Sequence, residues 1–223
     1  MTPPLRVDVA RALVDPTHAL ARAPWLALCL ALAAPATAQA AALTVNVTDA
    51  AGTPLVDAVA LLEPASGRVD VKPMADVQIA QAKRRFSPRV TLITTGTRVM
   101  FPNFDTVRHQ VYSFSAIKTF ELKLYAGGPG LPVVFDKPGV AVLGCNIHDS
   151  MVAWVVVADT PWAARSDAAG RARIDGVPPG HYLLRVWHPG LAPNADPAAA
   201  AAAITVGTAD AEHSARLDMR AAP

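Results

Sequence analysis

The chain has 223 residues, 52% of them hydrophobic and 17% charged, with a formal net charge of +2. That apolar content excludes a disordered tail, and so weak a positive balance lacks the electrostatic footprint of a nucleic-acid binder. Much of the apolar count is alanine, including the run Ala198 to Ala203, so the core is smaller than the percentage implies.

Arg22 is followed by an apolar stretch, PWLALCLALAA, and then by small residues ending Ala38-Gln39-Ala40. A positive flank, a short apolar segment and an A-x-A site are the layout of a secretory signal, so residues 1–40 are expected to be a signal peptide cut after Ala40. The apolar segment is shorter than the roughly 20 residues a membrane span needs, and no later segment approaches that length. The expected product is periplasmic or secreted, with no stable membrane insertion. Cys29 lies inside the apolar segment and follows Leu28, where a lipidation site wants a small residue. Cleavage takes with it three of the 20 basic and two of the 18 acidic residues, leaving a nearly neutral chain. It also leaves Cys145 as the sole thiol, without a partner for an internal disulfide. A lone thiol in an oxidising compartment invites oxidation or mispairing unless it is buried or bound.

Beyond residue 40, Val, Thr, Pro and Gly punctuate the whole length, which favours short strands joined by turns. Leu43, Val45 and Val47 alternate with Thr44, Asn46 and Thr48, the period of a half-buried strand. A Gly52-Thr53-Pro54-Leu55 turn and a second strand through Asp57-Ala58-Val59 follow. The same grammar returns near the C-terminus: a turn over Asp167-Ala168-Ala169-Gly170-Arg171, a strand, Val177-Pro178-Pro179-Gly180, and a strand from His181 to Trp187. In this order the two pieces resemble one carboxypeptidase-regulatory-like domain, a small transthyretin-like β-sandwich. The resemblance implies a discontinuous folding or interaction module, residues 41–75 and 160–223, and no chemistry.

The insert between them, residues 76–159, is a run of short strands: VTLITT, TRVMF, HQVYSF, KTFELKLY, PVVF, GVAVLGC and MVAWVVV. In KTFELKLY, Phe120, Leu122 and Leu124 share one face and Thr119, Glu121 and Lys123 the other. So many strands without a helical period predict an all-β sandwich closed around its own core. Two of its pieces carry soft and borderline metal donors. FPNFDTVRHQVYSF holds His109, and LGCNIHDSMVAWVVV holds Cys145, His148 and Met151. Cys145-x-x-His148-x-x-Met151 follows one strand and precedes another, so a tight loop can aim thiolate, imidazole and thioether at one point, and a neighbouring strand can supply His109. These are the donors of a trigonal His₂Cys copper site with a long axial thioether. Thiolate and thioether suit Cu(I), the imidazoles tolerate Cu(II), and binding would hold Cys145 as thiolate.

Phe86, Pro88, Val90, Gly96-Thr97, Val99, Phe101, Asn103, Asp105 and His109, followed by Cys145-x-x-His148-x-x-Met151, resemble the blue copper proteins of the plastocyanin family. The short C-x-x-H-x-x-M loop is similar to that of amicyanin. The resemblance implies a cupredoxin-like Greek-key β-sandwich with one type 1 copper per chain, held by His109, Cys145, His148 and Met151. It implies that the ring edge of His148 reaches the surface and passes the electron. Gln110 stands where these proteins usually carry an Asn that ties the two ligand loops together, which leaves that link to a longer side chain. The architecture is also similar to exported bacterial proteins labelled "methylamine utilization protein".

Each residue has a plainer reading. Cys145 alone would be a buried inert thiol, and Met151 and Trp154 could be core. His181, His188 and His213 show no ligand-like spacing and read as surface, capping or solvated residues. Lys83-Arg84-Arg85 reads as a solvated strand end or turn that could steer an acidic partner. The function expected is a one-electron carrier serving redox partner proteins of the exported compartment. A copper-binding or delivery protein without redox turnover is the alternative. An enzyme would normally need a second metal centre, and a structural module would have a degenerate site.

Overall fold

The computed structural model describes residues 40–191 and 201–219. The expected signal peptide, with Cys29, falls outside the described residues, except for Ala40. The rest is strand, turn and loop: β1 (Ala41–Asp49), β2 (Val59–Pro64), β3 (Val77–Gln78), β4 (Ala80–Ala82), β5 (Arg85–Ser87), β6 (Val90–Thr94), β7 (Thr97–Met100), β8 (His109–Ser115), β9 (Lys118–Tyr125), β10 (Val133–Phe135), β11 (Gly139–Gly144), β12 (Val152–Ala158), β13 (Ala163–Arg165), β14 (Arg171–Val177), β15 (Gly180–Trp187), β16 (Ala202–Val206) and β17 (Ala211–Leu217). The fold of the described residues is all-β.

The described strands sort into two layered bodies within one compact unit. In the first body, sheet β14-β1-β17 faces sheet β13-β2-β15-β16. Their inward residues, among them Val45, Val47, Leu62, Ile174 and Leu184, form one apolar cluster. The segments on either side of the insert thus pair with each other across more than a hundred residues of chain, as in Val45↔Ala172. The alanine-rich C-terminal stretch contributes strands to both sheets of this body. Ala202 to Val206 pairs with β15, and β17 runs parallel to β1 with His213 opposite Val45, so alanines there are small strand residues rather than tether.

In the second body, sheet β10-β7-β3 packs on the five-stranded sheet β6-β12-β11-β8-β9. Ile79, Ile93, Phe101, Phe135, Leu143 and Val155, all fully buried, fill the space between them. Each such side chain withdrawn from water stabilises the body by about 1.5 to 3 kcal/mol before conformational entropy is charged against it. The expected strands recur here, with two informative exceptions, the first on β9. A bulge lies between the pairs Val111↔Leu122 and His109↔Tyr125, so one residue of β8, Gln110, stands against two of β9, Lys123 and Leu124. The extra residue breaks the period of two: Phe120 and Leu122 pack inward, Leu124 turns out to 49% exposure, and Tyr125 takes the inward place.

Trp154 is the second exception. Its neighbours Ala153 and Val155 are fully buried in the core, so alternation turns the indole to the outer face of the sheet. There it meets Trp187 of the first body, ring centroids 6.5 Å apart, with the Arg89 guanidinium 4.9 Å from its ring centre. Val59, Val90, Val156 and Trp187 form the apolar seam between the bodies.

Candidate metal centre

β11 ends and β8 begins at the same end of the second body. They pair antiparallel at Gly144↔Tyr112. A Cβ on Gly144 would lie 2.5 Å from the Tyr112 ring, which packs over the bare glycine where the two strands come together. That approach delivers the next residue, Cys145, against His109 at the start of β8. From Cys145 the chain turns back at once: Met151 N–H donates to His148 O at 2.9 Å and Val152 N–H to Ser150 O at 3.1 Å. The tight turn lets β12 start and returns Met151, 1% exposed, to the apolar cluster that also contains Cys145.

The donor atoms of His109, Cys145 and His148 all lie within 4.8 Å of one another, and no other such group occurs among the described residues. Cys145 Sγ is 4.0 Å from His109 Nδ1, and the two imidazoles meet edge-on with centroids 5.1 Å apart. His109 is fully buried and Cys145 is 3% exposed, while His148 is half-buried. The far nitrogen of His109 is engaged: Nε2 lies 2.8 Å from Asp105 Oδ2. The Asp105 carboxyl is held below the usual carboxylate range, first by the amide of Arg84 and then by His109 itself. An ionised carboxylate only accepts, so Nε2 carries the proton and the Nδ1 lone pair faces Cys145.

Asp105 is set by its own loop. Its N–H donates to Asn103 Oδ1 at 2.9 Å. The Asn103 amide, 2% exposed, donates to Val107 O at 3.0 Å and to Tyr125 O at 2.8 Å. Tyr125 is paired with His109 just past the bulge, and its hydroxyl donates to Phe101 O. Gln110 departs from the expected link between ligand loops. Its side-chain amide donates to Glu121 on β9, because Gln110 lies on the opposite face of β8 from Val111 and its length carries it sideways along the sheet.

The remaining histidines have other work. His181 Nδ1 is 3.0 Å from Thr205 Oγ1. His188 Nε2 is 3.0 Å from Val56 O while its Nδ1 accepts the Gly190 N–H, and burial holds its pKa below the ordinary imidazole value. Lys83 and Arg84 form a hairpin turn with exposed side chains, and it is their backbone amides that reach Asp105.

The site fits a soft or borderline ion. His148 Nδ1 is buried without a hydrogen-bond partner, an arrangement that is costly for a free imidazole and ordinary for a ligating one. Bonds of about 2.0 to 2.3 Å to one ion put neighbouring donor atoms roughly 3.3 to 4 Å apart, which the 4.0 Å from Sγ to Nδ1 meets. One thiol and two imidazoles suit copper better than magnesium or calcium, which prefer oxygen.

No family model matches this chain, and no curated protein matches it. Several solved structures do. A purple cupredoxin from Nitrosopumilus maritimus is 28% identical over 37% of this chain and 99% of its own, with a TM-score of 0.34. A copper-containing nitrite reductase from Thermus scotoductus SA-01 is 24% identical over 43% of this chain, with a TM-score of 0.36, and the match spans 25% of that enzyme's length. The oxidised form of a proline-to-alanine variant of amicyanin is 20% identical over 36% of this chain and 80% of its own, with a TM-score of 0.34.

Proposed function

We propose that this chain is an exported mononuclear copper protein that carries one electron at a time through a His₂-Cys-Met type 1 centre. The observation that carries the reading is the convergence of Cys145 Sγ, His109 and His148 donors, with His109 Nε2 already committed to Asp105 and His148 Nδ1 otherwise orphaned. His109, Cys145 and His148 would hold the metal, and the Met151 thioether would be a fourth donor. Copper in such a set supplies one-electron chemistry between Cu(I) and Cu(II).

The chain's own contribution is rigidity and exclusion of water. His109, Cys145 and Met151 are buried at strand ends and in a tight turn, so the donors need to move little between oxidation states. Half-buried His148 is the route to solvent, and it is where a redox partner would come close. The second body is read as a cupredoxin-like domain, residues 76–159, inserted in a carboxypeptidase-regulatory-like sandwich of residues 41–75 and 160–223. The pairing of β1 with β14 and β17 supports that division. Export rests on the signal-like residues 1–40. The likeness to proteins labelled for methylamine utilization makes oxidation of methylamine or a similar amine the first pathway to try. A carrier role, rather than an enzyme, is supported by the engagement of His181 and His188 within the first body.

Protein film voltammetry of the copper-loaded protein tests the carrier role. A reversible one-electron wave with fast self-exchange between oxidised and reduced protein is expected. Stoichiometric copper with an irreversible wave and slow self-exchange would replace the carrier by a copper-delivery protein.

A further inference from the structure

The hairpin β4-β5 turns through Lys83 and Arg84, at φ of 53° and 56°. Two successive left-handed residues define the turn that hairpins normally build from Asn-Gly or Asp-Gly, and long side chains are poor choices there. The strands it joins are three residues each, so pairing alone holds it weakly. What this geometry gains is direction: both turn amides point the same way. Lys83 N–H donates to Asp105 Oδ1 at 2.7 Å and Arg84 N–H to Asp105 Oδ2 at 2.9 Å. Unfavourable backbone conformations persist where the surroundings over-determine them, and here they surround a group bonded to the deepest donor of the metal centre.

We propose that Asp105 is a positioning residue of the metal centre and that the Lys83-Arg84 turn is the clamp that holds it. The inference rests on the copper reading only for what the centre binds. One amide occupies Oδ1, a second shares Oδ2 with His109 Nε2–H, and the Asn103 side chain fixes the loop from the other side. The carboxylate cannot rotate without breaking an amide bond, so it fixes both the plane of the imidazole and its Nε2–H tautomer. Nδ1 is thereby kept as a lone pair aimed at Cys145 before any metal arrives. Partners of this kind behind a ligating histidine typically change metal affinity by about 10- to 100-fold. The cationic side chains of the turn take no part, since the contacts are made by backbone.

Two readouts test this, one of them on the metal-free protein. Long-range ¹⁵N–¹H NMR is expected to show His109 as the Nε2–H tautomer in the wild type. In Asp105→Ala, and in Arg84→Pro, which removes one amide and the left-handed turn, a mixed or Nδ1–H signal is expected. Copper affinity should fall about 10- to 100-fold in both. Asp105→Asn keeps the shape of the side chain and guards against misfolding; it puts an NH₂ where one N–H must be accepted, and should shift both readouts in the same direction. Arg85→Gln removes a neighbouring charge and should change neither. Wild-type tautomer and affinity in the Asp105 and Arg84 variants would overturn the clamp. A tautomer that switches in a protein that binds no copper even as wild type would remove the proposed function and leave the positioning of His109 standing.

Discussion

Met151 has two jobs that substitution can separate. It is 1% exposed among core residues, and its backbone closes the turn onto His148 O. Leucine is nearly the same volume and apolar, so Met151→Leu should cost the metal-free protein less than about 1.5 kcal/mol, and Met151→Ala about 2 to 5 kcal/mol, by thermal melting. If the thioether is also the axial donor, the copper-loaded Met151→Leu protein keeps its colour and its reduction potential rises. An unchanged potential would make Met151 a core residue only. The grouping of Cys145 and His148 was legible in the sequence because their spacing is local, and His109, which the structure brings beside them, follows an Asn-x-Asp turn. The support behind His109 was not. It reaches Asp105 from a hairpin more than twenty residues earlier, through backbone N–H groups that no pattern of side chains reports.

At the scale of elements, the first body uses one turn twice. In Asp49-Ala50-Ala51-Gly52 the carboxylate Oδ1 accepts the N–H groups of Ala51 and Thr53, and in Asp167-Ala168-Ala169-Gly170 it accepts those of Ala169 and Arg171. Backbone amides, from Thr53 in one case and Arg171 in the other, hold both carboxyls below the ordinary aspartate value. A group whose pKa is lower folded than unfolded binds fewer protons in the folded state. Its stabilisation is therefore present above about pH 4 and is lost as pH falls through the folded value. The melting temperature should fall with acidification below about pH 5, and the slope should be shallower in Asp167→Asn, which cannot titrate. An equal slope would mean the turn carboxylate is not linked to folding. Gly170 is required for a second reason: at φ 75° it passes so close to β1 that a Cβ would lie 2.5 Å from Val47 O. Gly170→Ala should cost more than about 1 to 2 kcal/mol in chemical denaturation, the left-handed penalty before the clash is added. Strands of this kind were legible from alternation, and the β9 bulge was not, because one inserted residue leaves the composition of KTFELKLY unchanged while moving Leu124 out and Tyr125 in.

For the whole molecule, the seam of Val59, Val90, Val156 and Trp187 makes the two bodies one apolar assembly. Trp187, 8% exposed, is its largest side chain, and Trp187→Ala should cost about 3 to 5 kcal/mol. Calorimetry should show one transition for the wild type and two for the variant, as the second body and its flanking sandwich lose their coupling. A single unshifted transition in the variant would leave the seam without energetic weight. The recurring turn grammar at the two ends of the insert marks the segments whose strands β1 and β14 pair. The seam is not legible in the sequence, since Trp154 and Trp187 belong to different bodies and only the alternation of each strand decides which way each indole faces.

The central claim is that Cys145 is the thiolate of a copper centre, and a titration of the purified protein with Cu(II), followed by visible absorption and EPR, tests it most directly. One equivalent should produce an intense thiolate-to-copper charge-transfer band and a narrow copper hyperfine pattern, both lost in Cys145→Ser. A wild-type protein that stays colourless and takes up no stoichiometric copper would contradict it.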